Sequence, residues 1–498
     1  MNAEYFDVLI VGAGISGIGS AWHLQDRCPG KSYLILEGRD SLGGTWDLFR
    51  YPGIRSDSDM FTLGFGFKPW QDGKAIADGP SILEYLKETA REAGIDEHIR
   101  YRHQLREAHW SDEDACWTLK AENTASGESV TIRCGFLLMC SGYYNYAHGY
   151  LPDWPGTERY GGRLVHPQSW PEDLDYSGRK IVVIGSGATA VTLIPELAKV
   201  AGHVVMLQRS PTYMVSMPDT DRIANLLRKL LPERLAYSII RWKNIRFQQF
   251  VYRQTRKSPE KVRRKLLKLA RRELGPECDF DRHFAPRYDP WDQRLCLVPN
   301  ADFFHAVRDG HASVVTDRIE TFTERGIRLE SGKELEADII VTATGLDLCV
   351  LGGANFFVNG KPVDFSSTYS YKSMMFSDVP NLVSTFGYIN ASWTLKADLT
   401  AEFACRVINH MDEQQARIAV PRLRDEDRNM PADDWIKDFS SGYIRRKIHL
   451  LPRQGDRAPW TNTQDYLADR KIIRETPVDD GVLRFIGKPE SATLRAHA

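Results

Sequence analysis

Two stretches of this sequence carry small residues at a spacing that can hold a pyrophosphate. Gly12-Ala-Gly14-Ile-Ser16-Gly17 and Gly185-Ser186-Gly187-Ala188-Thr189-Ala190 both follow G-x-G-x-x-G/A. In such a turn the first glycine allows a tight bend, the second lets the pyrophosphate approach the backbone, and the third lets helix and strand pack closely. The anion then rests on unpaired helix N–H groups. Twenty residues after Gly17 stands Glu37, where a carboxylate would accept hydrogen bonds from ribose hydroxyls. The corresponding position of the second stretch is Gln208-Arg209-Ser210, and an arginine there can pair with a 2′-phosphate that a carboxylate would repel. The first stretch therefore suits a nucleotide with a free ribose, such as FAD, and the second suits NADPH. Two such sites in one chain imply electron transfer from nicotinamide to flavin.

The flanking sequence predicts the elements that would position these turns. Phe6-Asp-Val-Leu-Ile-Val11 and Lys180-Ile-Val-Val-Ile184 are apolar runs of buried-strand type, each leading into a glycine turn and a helical pattern. Phe136–Gly142 and Ala337–Gly345 are similar runs and suit crossings between two units. The expected fold is α/β, with two Rossmann-like dinucleotide-binding domains and a helical insert in the second. The first FAD segment is expected over 1–150, the NADPH domain over 151–340 with a basic helical insert about 217–285, and the second FAD segment with the C-terminal region over 341–498. At 498 residues, 42% hydrophobic and 26% charged, with a net charge of −1, the chain has ordinary globular composition and no global attraction to nucleic acid. Eight cysteines with no C-x-x-C pair argue against a dithiol centre or zinc knuckle, and no metal is expected. The N-terminus shows no signal-peptide pattern and no apolar run approaches roughly 20 residues, so a cytoplasmic location is expected.

Three further stretches bear on the reaction. Tyr160-Gly-Gly162-Arg-Leu-Val-His166-Pro-Gln-Ser-Trp170-Pro171 resembles F-x-G-x-x-x-H-x-x-x-W-P, the fingerprint of the Baeyer–Villiger class B flavoprotein monooxygenases, with Tyr160 in place of Phe. Gly43-Gly-Thr-Trp46-Asp-Leu-Phe-Arg-Tyr51-Pro-Gly53-Ile-Arg55-Ser-Asp57 is similar to that family's longer motif, and Tyr288–Asn300 to the stretch holding its catalytic arginine. Trp46–Met60, Gly142–Tyr146 and Ala391–Asp398 look like the ethionamide-activating, EthA-type subgroup. The resemblance implies that Thr45, Trp46, Asp47 and Leu48 line a flavin, and that Asp57 and Arg294 are catalytic. Ser16, Arg55, Ser56 and Leu105 are expected with Asp57 among the cofactor contacts. Gln293 stands where the cyclohexanone-oxidising relatives often have lysine, which leaves Arg209 to supply most of the 2′-phosphate binding. His166 and Trp170 are read as structural, while Asp57 has a plainer reading as a helix N-cap before Met60.

The resemblance implies an enzyme that uses NADPH and O2 to insert one oxygen atom beside a ketone carbonyl, giving an ester or lactone. Oxygen transfer to a thioether or thioamide is a second substrate class. Competing readings are a heteroatom hydroxylase and an NADP(H)-binding flavin redox sensor. Between Arg222 and Glu273 stand 17 Lys or Arg against three Glu, in segments with helical apolar spacing. The insert reads as a solvated helical face, as a peripheral membrane contact through 222–273, or, least, as a nucleic-acid surface, for which no reader motif is present.

Overall fold

The computed structural model describes residues 3–437 and 439–487, so 488–498, the end of the expected second FAD segment, lies outside the described residues. β1 (Glu4–Val11), α1 (Ile15–Arg27) and β2 (Tyr33–Leu36) form a strand–turn–helix–strand unit. α2 (Thr45–Leu48), α3 (Met60–Leu63) and α4 (Gly79–Glu92) lead to β3 (Ile99–Arg100) and the antiparallel meander β4 (His103–Ser111), β5 (Cys116–Asn123) and β6 (Ser129–Met139). β1 runs parallel to both β2 and β6 at the heart of a nine-stranded sheet, which Asn355–Val358 and Leu382–Ser384 join from the far end of the chain. Val8 and Ile10 pack on the α1 side, whereas Leu9 and Val11 pack with Trp110 and Trp117 on the other. Burial on both faces explains why β1 reads as an unbroken apolar run.

The second sheet is wholly parallel. β7 (Arg163–Val165), β8 (Lys180–Ile184), β9 (His203–Gln208), β12 (Ala312–Thr316) and Ile339–Thr342 form it, with α5 (Ala188–Leu197) crossing from β8 to β9. All five strands fall between two parts of the larger sheet in sequence. β10 (Met214–Met217) pairs in parallel with β11 (Cys296–Pro299), and between them run α6 (Arg222–Leu230), α7 (Glu233–Lys257), α8 (Pro259–Leu274) and α9 (Phe280–His283). α10 (Asp302–Arg308) follows β11. The α/β architecture with two dinucleotide-type sheets and a helical insert is that expected from sequence. No helix among the described residues is long and apolar enough to cross a membrane.

The C-terminal part closes over the first sheet through α11 (Trp393–Glu413), a helix buried along most of its length and packed on α1. It carries a buried ion pair: Lys396 Nζ lies 2.7 Å from Asp469 Oδ2, which also accepts from the Tyr388 hydroxyl at 2.8 Å. Thr463 donates to the other oxygen at 2.6 Å, so both carboxylate oxygens are satisfied. Removing one partner of such a pair strands a charge away from water. Lys396→Met is therefore expected to destabilise the fold by about 3 kcal/mol or more, read as a lowered unfolding midpoint, whereas an unchanged midpoint would show that Asp469 can stay neutral at no cost.

Candidate functional site

The first glycine turn has the geometry its spacing implies. Gly12 has φ +104°, and a Cβ there would stand 2.5 Å from the Cys140 carbonyl oxygen. A Cβ at Gly17 would stand 1.8 Å from the Gly12 oxygen, so Gly17 serves helix packing and does not line the cavity. Gly14 is the N-cap of α1 with no side chain to cap it, and it faces Gly44, whose Cα would be 3.5 Å from a Cβ at Gly14. The unpaired helix amides are thus open to an anion. The buried Glu37 carboxylate accepts from the Ala13 and Arg39 amides at 2.8 and 2.9 Å, and burial raises its pKa. The Ser16 hydroxyl accepts from the Trp393 indole at 2.8 Å.

These residues open into a cavity of about 400 Å3 that reaches α5, beside the second glycine turn. Thr45 and Trp46 line it, and the Thr45 hydroxyl is 2.6 Å from that of Tyr144. Asp47 and Leu48 do not line it. Asp47 is buried against Ser41 and Arg39, 2.6 and 2.7 Å away, and so orients the lining Arg39. Arg55 is fixed by Asp302 of α10, 2.5 Å away, while the Ser56 hydroxyl accepts from the Ala77 amide. Leu105 is a buried part of the wall.

Arg294 and Asp57 meet in this cavity, with Nη2 2.6 Å from Oδ2. Each side chain is 38% exposed, because each faces the cavity. Asp57 raises the guanidinium pKa still further, so Arg294 is a fixed cation. Tyr143 and Tyr443, the latter in α12 (Gly442–Arg445), are close enough to feel both charges, and burial pushes both phenols up. The loop carrying Arg294 is held from two sides: Arg256 donates to Asp292 at 2.9 Å, and the Ser440 amide donates to the Asp292 carbonyl at 2.6 Å. Asp57 is not the helix cap of its plainer reading. Asp59 caps α3 by accepting from the Thr62 amide, and Asn244 and Gln248 of α7 bind its other lone pairs at 2.9 and 2.6 Å.

The second turn is split in its exposure. Gly185 has φ +135°, and a Cβ there would stand 2.3 Å from the Ala343 oxygen. A Cβ at Gly187 would meet nothing within 4 Å, which leaves room for a pyrophosphate at the α5 N-terminus. Ala188 and Thr189 line the cavity, Ala190 is buried, and Ser186 donates to the Ser210 carbonyl at 3.3 Å. Arg209 is exposed and has no carboxylate partner among the described residues. Gln208 departs from its expected cofactor role: it is buried in β9 and donates to the His283 carbonyl and Thr316 hydroxyl at 2.8 and 2.9 Å. His166 accepts from the Gln168 amide, Trp170 packs edge-on to Tyr176, and neither lines the cavity.

Several wall residues carry no local sequence signal of a site. Tyr143, Phe386, Trp393 and Tyr443 all line the cavity; Tyr143 and Tyr443 lie near the ion pair, and Tyr143 stacks on Trp393 at 5.2 Å. Of these, Tyr143 and Trp393 fall within the strings Gly142–Tyr146 and Ala391–Asp398 of the resemblance, while Phe386 and Tyr443 fall in none.

Residues 10–75 match a model of NAD(P)-binding Rossmann-like domains, and residues 72–268 match the flavin-binding monooxygenase-like family. The FAD-containing monooxygenase EthA of Mycolicibacterium smegmatis is 55% identical over 97% of this chain and 97% of its own length. EthA of Mycobacterium tuberculosis is 54% identical over 98% of this chain and 99% of its own. A steroid monooxygenase solved with NADP superposes with a TM-score of 0.75 at 20% identity, covering 97% of this chain and 100% of the other, which shows a shared fold. Matched almost end to end at more than half identity, the chain belongs to the flavin-binding, FAD-containing monooxygenase family that includes EthA.

Proposed function

We propose that this enzyme is an NADPH- and O2-dependent Baeyer–Villiger monooxygenase that converts a ketone to an ester or lactone. One oxygen atom of O2 enters the product, the other leaves as water, and NADPH is oxidised. FAD is assigned to the larger sheet, with segments 1–150 and 341–498, and NADPH to the intervening unit 151–340. The cytosol is the assigned compartment. What carries the reading is the Arg294–Asp57 pair, which opens on the same cavity as Gly12, Gly14 and Thr189.

The residues fit both groups. Gly14 and Gly44 leave a backbone-lined cleft beside a buried carboxylate, and Gly187 leaves open space over helix amides. When bound and reduced, the flavin supplies activated oxygen. Arg294 donates hydrogen bonds to negative charge as it develops on oxygen during attack on a carbonyl, a task suited to a guanidinium that never loses its proton. Asp57 fixes the fork of Arg294 through a charge-assisted bond. Tyr143 and Tyr443 stand close enough to the pair to feel its charges and give it an aromatic wall within the cavity.

Oxygen transfer to the sulfur of a thioether or thioamide is the second substrate class, and it forms no carbonyl oxyanion. Arg294→Ala is accordingly expected to lower ester formation by about 10^3-fold while NADPH-driven flavin reduction stays within a few-fold. Ester formation at the parent rate would remove Arg294 from the mechanism, and N-oxide as the only product of a ketone and amine panel would favour the heteroatom hydroxylase instead. Arg209→Ala should raise KM for NADPH by about tenfold or more and leave KM for NADH nearly unchanged. An unaltered NADPH/NADH ratio would assign the 2′-phosphate to another group.

A further inference from the structure

Nine of the sixteen large apolar side chains that the described residues leave exposed lie between Ile223 and Val251, on α6 and α7. On α6 they are Ile223, Leu226 and Leu230, spaced to share one helix face, and Leu230 is 69% exposed. On α7 Leu235, Ile239, Trp242 and Phe250 form a second row about 22 Å long. Trp242 is 59% exposed, with the Arg246 guanidinium 5.7 Å from its ring.

This face cannot turn inward, because the opposite side of α7 is committed. Arg241 donates to the Phe61 and Gly64 carbonyls at 2.9 and 2.7 Å, Tyr237 to the Phe65 carbonyl at 2.9 Å, and Asn244 and Gln248 to Asp59. Exposed apolar rows of this size on a folded domain mark a surface that meets something else.

The charge around the rows says what. Residues 222–257 contain ten Lys or Arg and a single acid, Glu233. Arg222, Lys229, Arg234, Arg246 and Lys257 have no carboxylate partner among the described residues. A second copy docked face to face would set this cationic face against itself. An acidic apolar surface would meet both the rings and the cations.

We propose that the outward face of α6 and α7 is a docking surface for an anionic lipid bilayer. Both helices lie along the surface, with Trp242, Phe250 and the leucines entering the boundary of headgroup and acyl chain and the lysines and arginines contacting lipid phosphates. The contact is peripheral, since neither helix is long and apolar enough to span. It belongs to α6 and α7 more than to the denser basic run of α8, whose Leu266 and Leu267 are half-buried.

The test is co-sedimentation of the FAD-loaded, full-length enzyme with phosphatidylcholine vesicles and with vesicles containing about one third phosphatidylglycerol. Binding is expected to the anionic vesicles, to weaken as salt rises from about 0.05 to about 0.5 M, and to fall by about tenfold or more in a triple variant L230S/W242S/F250S. The pair K229E/R246E should lose anionic binding while keeping NADPH oxidation in solution, which guards against loss of fold. Absence of binding to anionic vesicles, or binding that neither variant alters, would overturn the proposal. So would light scattering that finds a parent dimer turned monomeric by the triple substitution, since the face would then be a self-interface.

Discussion

The contact between Arg294 and Asp57 is the constraint on which the rest of the site depends. A cation and a carboxylate 2.6 Å apart, each still 38% exposed to the cavity, present a fixed charge at one place only if their geometry is held tightly. Neither residue sits on a long regular element. Asp57 precedes the single turn of α3, and Arg294 ends a loop in which Trp291 has φ +75°. Their rigidity is supplied from outside: Asp292 is tied to Arg256 and to the Ser440 amide, while Asp59 is tied to Asn244 and Gln248. The helical insert therefore braces both sides of the pair, and Tyr443 arrives from the C-terminal region to cover it.

The same logic of indirect support recurs at the first turn. Asp47 touches no part of the cavity, yet it holds Arg39, whose amide binds Glu37. Ser16 is engaged by Trp393, which also stacks with Tyr143. The nucleotide end and the ion-pair end of the cavity are joined through one ring system, so displacement of Trp393 would be felt at both. Packing at this density transmits small shifts.

The parts of the molecule governed by local backbone demands were legible in the sequence. Gly12, Gly17 and Gly185 are required by positive φ or by close approach of another backbone, and spacing alone reveals such needs. Side chains whose role is set by distant neighbours were not. Gln208 stands at the end of β9 beside Arg209, but burial turns it toward His283 and Thr316, and nothing in the local pattern tells an inward position from an outward one there. The sequence offered Asp57 as a helix cap, whereas Asp59 caps α3 and its carboxylate is held further by Asn244 and Gln248 of α7. Tyr443 reads as an ordinary aromatic, since it reaches the pair only once the C-terminal region has folded over it. In the insert the excess of positive charge was plain, whereas helical apolar spacing ordinarily signals a buried face and here lies partly outside.

The two glycine turns share a feature that explains why two nucleotide-type units meet on one cavity. Gly12 is pressed against the carbonyl of Cys140, and Gly185 against that of Ala343. Cys140 is where the chain leaves the larger sheet for the second, and Ala343 is where it leaves the second sheet to return. Each phosphate-type turn is thus packed on the crossing that joins its unit to the other. A Cβ at Gly12 would stand 2.5 Å from the Cys140 oxygen and one at Gly185 2.3 Å from the Ala343 oxygen, both backbone atoms of the crossings. The demand for glycine at these positions therefore comes from the junction between the units as much as from the anion each turn is shaped to hold.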